Sequence, residues 1–220
     1  MKSGWFFGTQ MWAEYLAEYS KARPECLNEF RSSPLTNDHD FVDYMNTWTM
    51  EDHQTQVIDL VTHQWADIRR SYHSIIHRAN DLYEIRATDD IEAFKYAHIE
   101  ANGRQPRPDR TYEINGEWIE SGNAMLVGAL DEESTAGAYA LWILYRGSAY
   151  YASGPSIHKN VQHAVVWKSL EILKSQGIRF VEMGQIDGVT EKERNVGKFK
   201  CGWGGEAKPF TIVMRKNNGQ

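Results

Sequence analysis

The sequence predicts an α/β (α+β) chain with a mixed, mainly antiparallel sheet flanked by helices. Three observations carry that expectation. Residues 124–130, 136–145 and 148–153 are short apolar runs separated by DEEST and by Arg146-Gly147, which read as strands of a meander. An amphipathic segment follows, Asn160 to Gln176, closed by Gly177 at the position where helices commonly end. The chain then alternates a strand at 179–183, a helix opening at Thr190 and a strand at 210–214, which completes β-β-β-α-β-α-β.

The earlier elements follow from the same grammar. Thr9 can cap a helix whose Trp12, Tyr15, Leu16 and Tyr19 repeat at helical spacing, and Pro24 ends it. Residues 31–40 are turn-rich and read as a loop. Val57 to Leu60 suits a short strand. Thr62 then opens a helix with Trp65, Ile68, Tyr72, Ile75 and Ile76 on one side. A further helix is expected from about Asp89 to Ala101, with Ile91, Phe94, His98 and Ala101 inward and acidic residues in its first turn. NGRQPRPDR (102–110) reads as a basic connector. A single domain over 1–220 is the expectation, with 1–55 a helical and loop addition and 56–220 the core.

Composition narrows the class of function. The chain has 220 residues, 41% apolar and 25% charged, as in ordinary globular proteins. No apolar run approaches the roughly 18 residues of a spanning helix, so no membrane anchor is expected. Cys26 and Cys201 read as two reduced thiols of a cytoplasmic protein. A net charge of −6 argues against general coating of nucleic acid. A local basic groove remains compatible with it, from Arg69, Arg70 and Arg78, then Arg104, Arg107 and Arg110, then Lys192, Arg194, Lys198 and Lys200. Neither G-x-G-x-x-G nor G-x-x-x-x-G-K-[ST] occurs. His73 and His77 stand four apart without the glutamate or third ligand of a helical zinc motif, so no metal is assigned.

The most distinctive stretch is Glu191–Glu206, EKERNVGKFKCGWGGE. Its acidic first turn suits a helix start, Val196, Phe199 and Trp203 fall on one side, and its glycines mark a sharp turn. The run N-x-x-x-F-K-x-G-W-G-G-E resembles the C-terminal signature of Fem-type (FemAB-like) acyltransferases, relatives of the GNAT acetyltransferases. IRRSYHSIIHRA (68–79), AYYASGPS (149–156), HAVVWKSLEILKSQG (163–177) and RFVEMG (179–184) resemble further blocks in the same order.

The resemblance implies a GNAT-like sheet in which the strand before the long helix parts from its neighbour and leaves a notch for the acyl donor. It also implies transfer of an acyl group, from aminoacyl-tRNA in the Fem branch, to an amine or hydroxyl, without metal or cofactor. By position, Lys200 would stabilise the oxyanion or the leaving ribose oxygen, and Phe199 would form the apolar wall. The residue after that lysine is often basic in the family; here it is Cys201, which lacks a nearby base and is expected to pack. Tyr150, Tyr151 and Ser153 lie on the strand expected to line the notch. Gln185 and Asp187 follow the next strand, and Asp187 or Glu182 are carboxylates that would take up a proton or simply be solvated. Arg70 and Arg78 would hold phosphate. Gln162 and His163 stand where acetyl-coenzyme A users carry R/Q-x-x-G-x-G/A, and the missing glycines disfavour that donor. The alternatives are a coenzyme A-dependent N-acetyltransferase with a degenerate loop and a catalytically silent binding module.

Overall fold

The computed structural model describes residues 29–31, 48–130 and 136–215. In chain order the elements are β1 (Glu29–Arg31), β2 (Trp48–Asp59), α1 (Arg70–Asn80), β3 (Glu84–Thr88), α2 (Ile91–Asn102) and α3 (Asp109–Glu120). They continue with β4 (Ala124–Leu130), β5 (Ala136–Tyr145), β6 (Ser148–Ser153), α4 (Val161–Ser175), β7 (Phe180–Gln185), α5 (Glu191–Cys201) and β8 (Glu206–Arg215). The chain divides into two compact units. Among the described residues, one holds 29–31, 48–56, 185–197 and 207–215; the other holds 57–130, 136–184 and 198–206.

In the larger unit the strand order is β7-β6-β5-β4-β3. The pairs β3–β4, β4–β5 and β5–β6 are antiparallel, whereas β6–β7 is parallel. Arg146 and Gly147 both take positive φ, 46° and 75°, the mirror-image turn whose twist suits a two-residue hairpin between β5 and β6. The sheet is covered on both faces. Ala138, Ala140, Trp142, Val181 and Met183 pack with Ile76 of α1 and Val165 and Leu173 of α4. Tyr139 and Leu141, one residue out of phase on β5, pack with Phe94 of α2 and Tyr112 of α3. That is the alternation a pleated strand imposes. Leu173, Phe94 and Trp142 are fully buried, each contributing roughly 1.5–3 kcal/mol or more by leaving water.

The smaller unit has the order β1-β8-β2, with β1 antiparallel to β8. Thr211 donates to Asp52 at 2.9 Å. At the start of α5, Glu193 N–H donates to Thr190 Oγ1 and Thr190 N–H donates to Glu193 Oε2, a reciprocal cap that fixes the helix entry.

Several boundaries depart from the sequence reading. The helix expected from Thr62 begins at Arg70; Trp65–Asp67 form a tight turn in which Asp67 accepts the Gln64 N–H at 2.8 Å. β2 extends well before Val57, and β8 begins before Phe210. α3 and β3 were not anticipated; the connector shrinks to 103–108, because Asp109 and Arg110 are already helical. In α5 the inward residue is Gly197, pressed against the Ile186 carbonyl, while Val196 is 43% exposed. The N-terminal helix, the 32–40 part of the predicted loop and Cys26 lie outside the described residues. Among the described residues no helix is long and apolar enough to cross a membrane.

Candidate active site

β6 and β7 begin as a parallel pair, with Ser148 opposite Phe180, Ala149 opposite Val181 and Tyr150 opposite Glu182. Pairing ends there, although β6 runs on to Ser153 and β7 continues past Glu182. β6 stays with β5, Ser153 opposite Leu141, after a register shift between Leu141 and Trp142. Beyond that pair the two parallel strands part and leave a gap between them.

The last turn of α5 is anchored by α1 and the residue before it. Helix C-termini leave carbonyls without partners. Here the Arg69 guanidinium donates to Lys198 O at 3.1 Å, Tyr72 Oη donates to Phe199 O at 3.1 Å, and Arg69 N–H donates to Gly202 O at 2.7 Å. His63 Nε2 donates to Trp203 O at 2.8 Å. With its carbonyls held, the turn presents Phe199 and Lys200 in fixed directions. The Phe199 ring packs edge-on against His163 (5.1 Å) and Trp203 (5.8 Å). Lys200 turns to β7. A Cβ built on Gly184 would stand 3.1 Å from Lys200 Nζ and 3.2 Å from Tyr150 Oη, so ammonium and phenol converge on one backbone position. Gly184 has φ of 80°, which glycine adopts without strain.

The first turn of α4 borders the gap. Gln162 is buried, and its Nε2 donates to Tyr139 O and to Tyr151 Oη, both at 2.9 Å. Burial holds the Tyr151 phenol far above its ordinary range, the Gln162 bond offsetting this in part. His163 sits among Tyr72 (4.4 Å), Phe199 and Trp203. Burial pushes its pKa down, with the Asn160 carbonyl opposing and Arg69 reinforcing the shift, so the ring is neutral at pH 7.

Ser153 forms a contact that sequence reasoning missed. Its Oγ lies 2.6 Å from Nε2 of His98, whose Nδ1 lies 3.1 Å from Tyr112 Oη. Burial, and then the charge of Arg107, push His98 down to about 4. The spacing marks His98 only as the inner edge of a helix; nothing local points to a partner on a distant strand.

Arg70 and Arg78 are exposed on α1, and Arg78 Nε donates to Ser74 O of its own helix at 3.1 Å. Arg69, rather than Arg70, engages the end of α5. Gln185 and Asp187 belong to the smaller unit, where both approach His53 Nδ1, at 2.9 and 3.3 Å. Cys201 is exposed rather than packed. His73 stacks on Trp65 at 4.5 Å, and among the described residues no three metal-binding side chains gather.

No family model matches the chain, and no curated protein does. Solved structures match its fold across most of its length. L-PGS from Bacillus licheniformis is 13% identical with a TM-score of 0.66, covering 94% of this chain and 73% of that one. FemX is 11% identical with a TM-score of 0.66, over 91% of this chain and 76% of that one. The C-terminal domain (DUF2156) of a putative lysylphosphatidylglycerol synthetase from Agrobacterium fabrum is 9% identical with a TM-score of 0.64, over 96% and 75%. The mixed sheet of this chain, matched across most of its length by these structures and at a TM-score of 0.53 by a GCN5-related N-acetyltransferase from Kribbella flavida, is a GNAT-like fold.

Proposed function

We propose that the chain is an acyltransferase that moves an aminoacyl group from its ester on tRNA to an amine or hydroxyl of a second substrate. The carrying observation is the convergence of Lys200 Nζ and Tyr150 Oη on Gly184, where β6 and β7 part. As the nucleophile adds, the ester carbonyl oxygen gains charge, and a fixed cation there favours the transition state over the ground state. Collapse then breaks the ester C–O bond and leaves the new C–N or C–O bond. The nucleophile gives up a proton and the leaving ribose oxygen takes one. Lys200 stabilises the charge on either oxygen, and Phe199, wedged against His163 and Trp203, holds the lysine's turn in place.

An ester donor is favoured over coenzyme A by the first turn of α4. Gln162 is committed to Tyr139 and Tyr151, and no glycine there exposes backbone N–H groups to a pyrophosphate. Structures sharing the fold are named as a putative lysylphosphatidylglycerol synthetase and a GCN5-related N-acetyltransferase, which supports group transfer in general. A tRNA donor places the reaction in the cytoplasm.

The test offers the protein a radiolabelled aminoacyl-tRNA pool or labelled acetyl-coenzyme A with simple amine acceptors, and follows label on the amine. Aminoacyl-tRNA is the donor expected. Lys200→Met should lower transfer by about 100-fold or more while leaving the unfolding midpoint in place. Transfer from acetyl-coenzyme A alone would replace the donor, and transfer from neither would leave a binding module.

A further inference from the structure

We propose that Ser153 is a directed hydrogen-bond donor that binds an oxygen of the acceptor substrate, with His98 and Tyr112 as its positioning residues. This rests on the acyl-transfer reading for the substrate, but not for the direction of the hydrogen-bond chain.

The direction follows from counting donors and acceptors. Tyr112 is 2% exposed, and its hydroxyl has one partner among the described residues, His98 Nδ1 at 3.1 Å. A buried hydroxyl left without an acceptor costs about 1–3 kcal/mol, so the phenol donates into Nδ1. A neutral imidazole that accepts at Nδ1 carries its proton on Nε2. That proton is given to Ser153 Oγ at 2.6 Å. The Ser153 hydroxyl hydrogen therefore cannot turn back to His98. Ser153 has no second partner among the described residues and is half-buried, so its proton is presented to the open side. Burial and the Arg107 charge keep His98 neutral down to about pH 4, which holds the polarity fixed.

Register gives the place. Tyr150 lies opposite Ile143 and Ser153 opposite Leu141, and the extra residue between them brings Ser153 to the face that Tyr150 occupies. This face packs on α2 and α3, away from Gln162 and His163. The two residues are successive on it, about 7 Å apart along the strand. A carbonyl held by Lys200 and Tyr150 therefore has Ser153 one step away, on the side opposite α4. The molecule reaching Ser153 is the acceptor, and it is one that carries a hydrogen-bond-accepting oxygen close to its reacting group.

Two measurements test this. In 15N-labelled protein at pH 7, the imidazole shifts should show His98 as the Nε2–H tautomer, with the Nδ1 shift changing in Tyr112→Phe as its hydrogen bond is lost. A wild-type ring in the Nδ1–H or doubly protonated form overturns the chain whatever the protein catalyses. The second compares 2-methoxyethylamine with butylamine, which differ by one accepting oxygen, as acceptors from aminoacyl-tRNA. Wild type should favour the ether by about 10-fold in kcat/KM, through KM. Ser153→Ala should erase the preference, Tyr112→Phe on that background should lower it no further, and Ser153→Thr should keep it. Equal losses on both acceptors, or additive effects, would make the cluster merely structural. Transfer to no amine overturns the acyl-transfer reading and the substrate half of this one with it.

Discussion

Replacing Gly184 by alanine probes the proposed site with the least chemistry. The backbone there has φ of 80°, and an L-residue in the left-handed region costs roughly 1–2 kcal/mol. The added methyl would also meet Lys200 Nζ at 3.1 Å and Tyr150 Oη at 3.2 Å, both tighter than ordinary van der Waals contact. Both are ends of long side chains and can move aside, so stability should fall by little more than the strain. For a chain of this size that is a drop of roughly 2–8 °C in Tm. Function should respond more strongly, because shifting a catalytic cation by about 1 Å can cost on the order of 100-fold. Gly177→Ala is the control: φ is also 80°, yet no atom lies within 4 Å of the new methyl. Thermal unfolding and aminoacyl transfer measured on both variants should show similar losses of stability and a loss of transfer only at Gly184. Equal turnover in the two variants would refute the assignment of the reacting carbonyl to Lys200 and Tyr150.

Stability should carry a signature of His98. Its pKa falls from 6.5 to about 4 on folding, so the unfolded chain binds the proton first. Its contribution is fully present above pH 6.5 and is lost as pH falls towards 4, by at most about 1.4 kcal/mol per unit. Denaturant titrations across this range should show a shallower decline in His98→Gln than in wild type; parallel curves would contradict it. If the exposed Arg70 and Arg78 each neutralise a tRNA phosphate, replacing both by glutamine should flatten the log–log salt dependence of tRNA binding by roughly 1.4. An unchanged slope would remove α1 from the nucleic-acid surface.

Much of the scaffold was legible in the chain itself. The meander over β4–β6 follows from apolar runs broken by turn residues, and α4 from a long apolar face closed by Gly177, because both signals are local. The Phe199-Lys200 turn was legible through its motif. β3 and α3 were not. β3 is a short strand at the end of the sheet with its residues half-buried or exposed, and α3 buries only Tyr112 and Asn115, so neither writes a strong period into the sequence.

Tertiary structure alone decided what the proposed site is made of. The pairing of β6 with β7 stops at Tyr150 and Glu182, and no residue type announces where two strands part. Lys200 reaches Gly184 only because Arg69 and Tyr72, far earlier in the chain, take up the carbonyls that end α5. Ser153 meets His98 only because one extra residue in β6 changes the face it presents. Local propensity reads what a segment can be. Which donor meets which acceptor depends on register and on helices brought together from distant parts of the chain, and that is fixed only when the core packs.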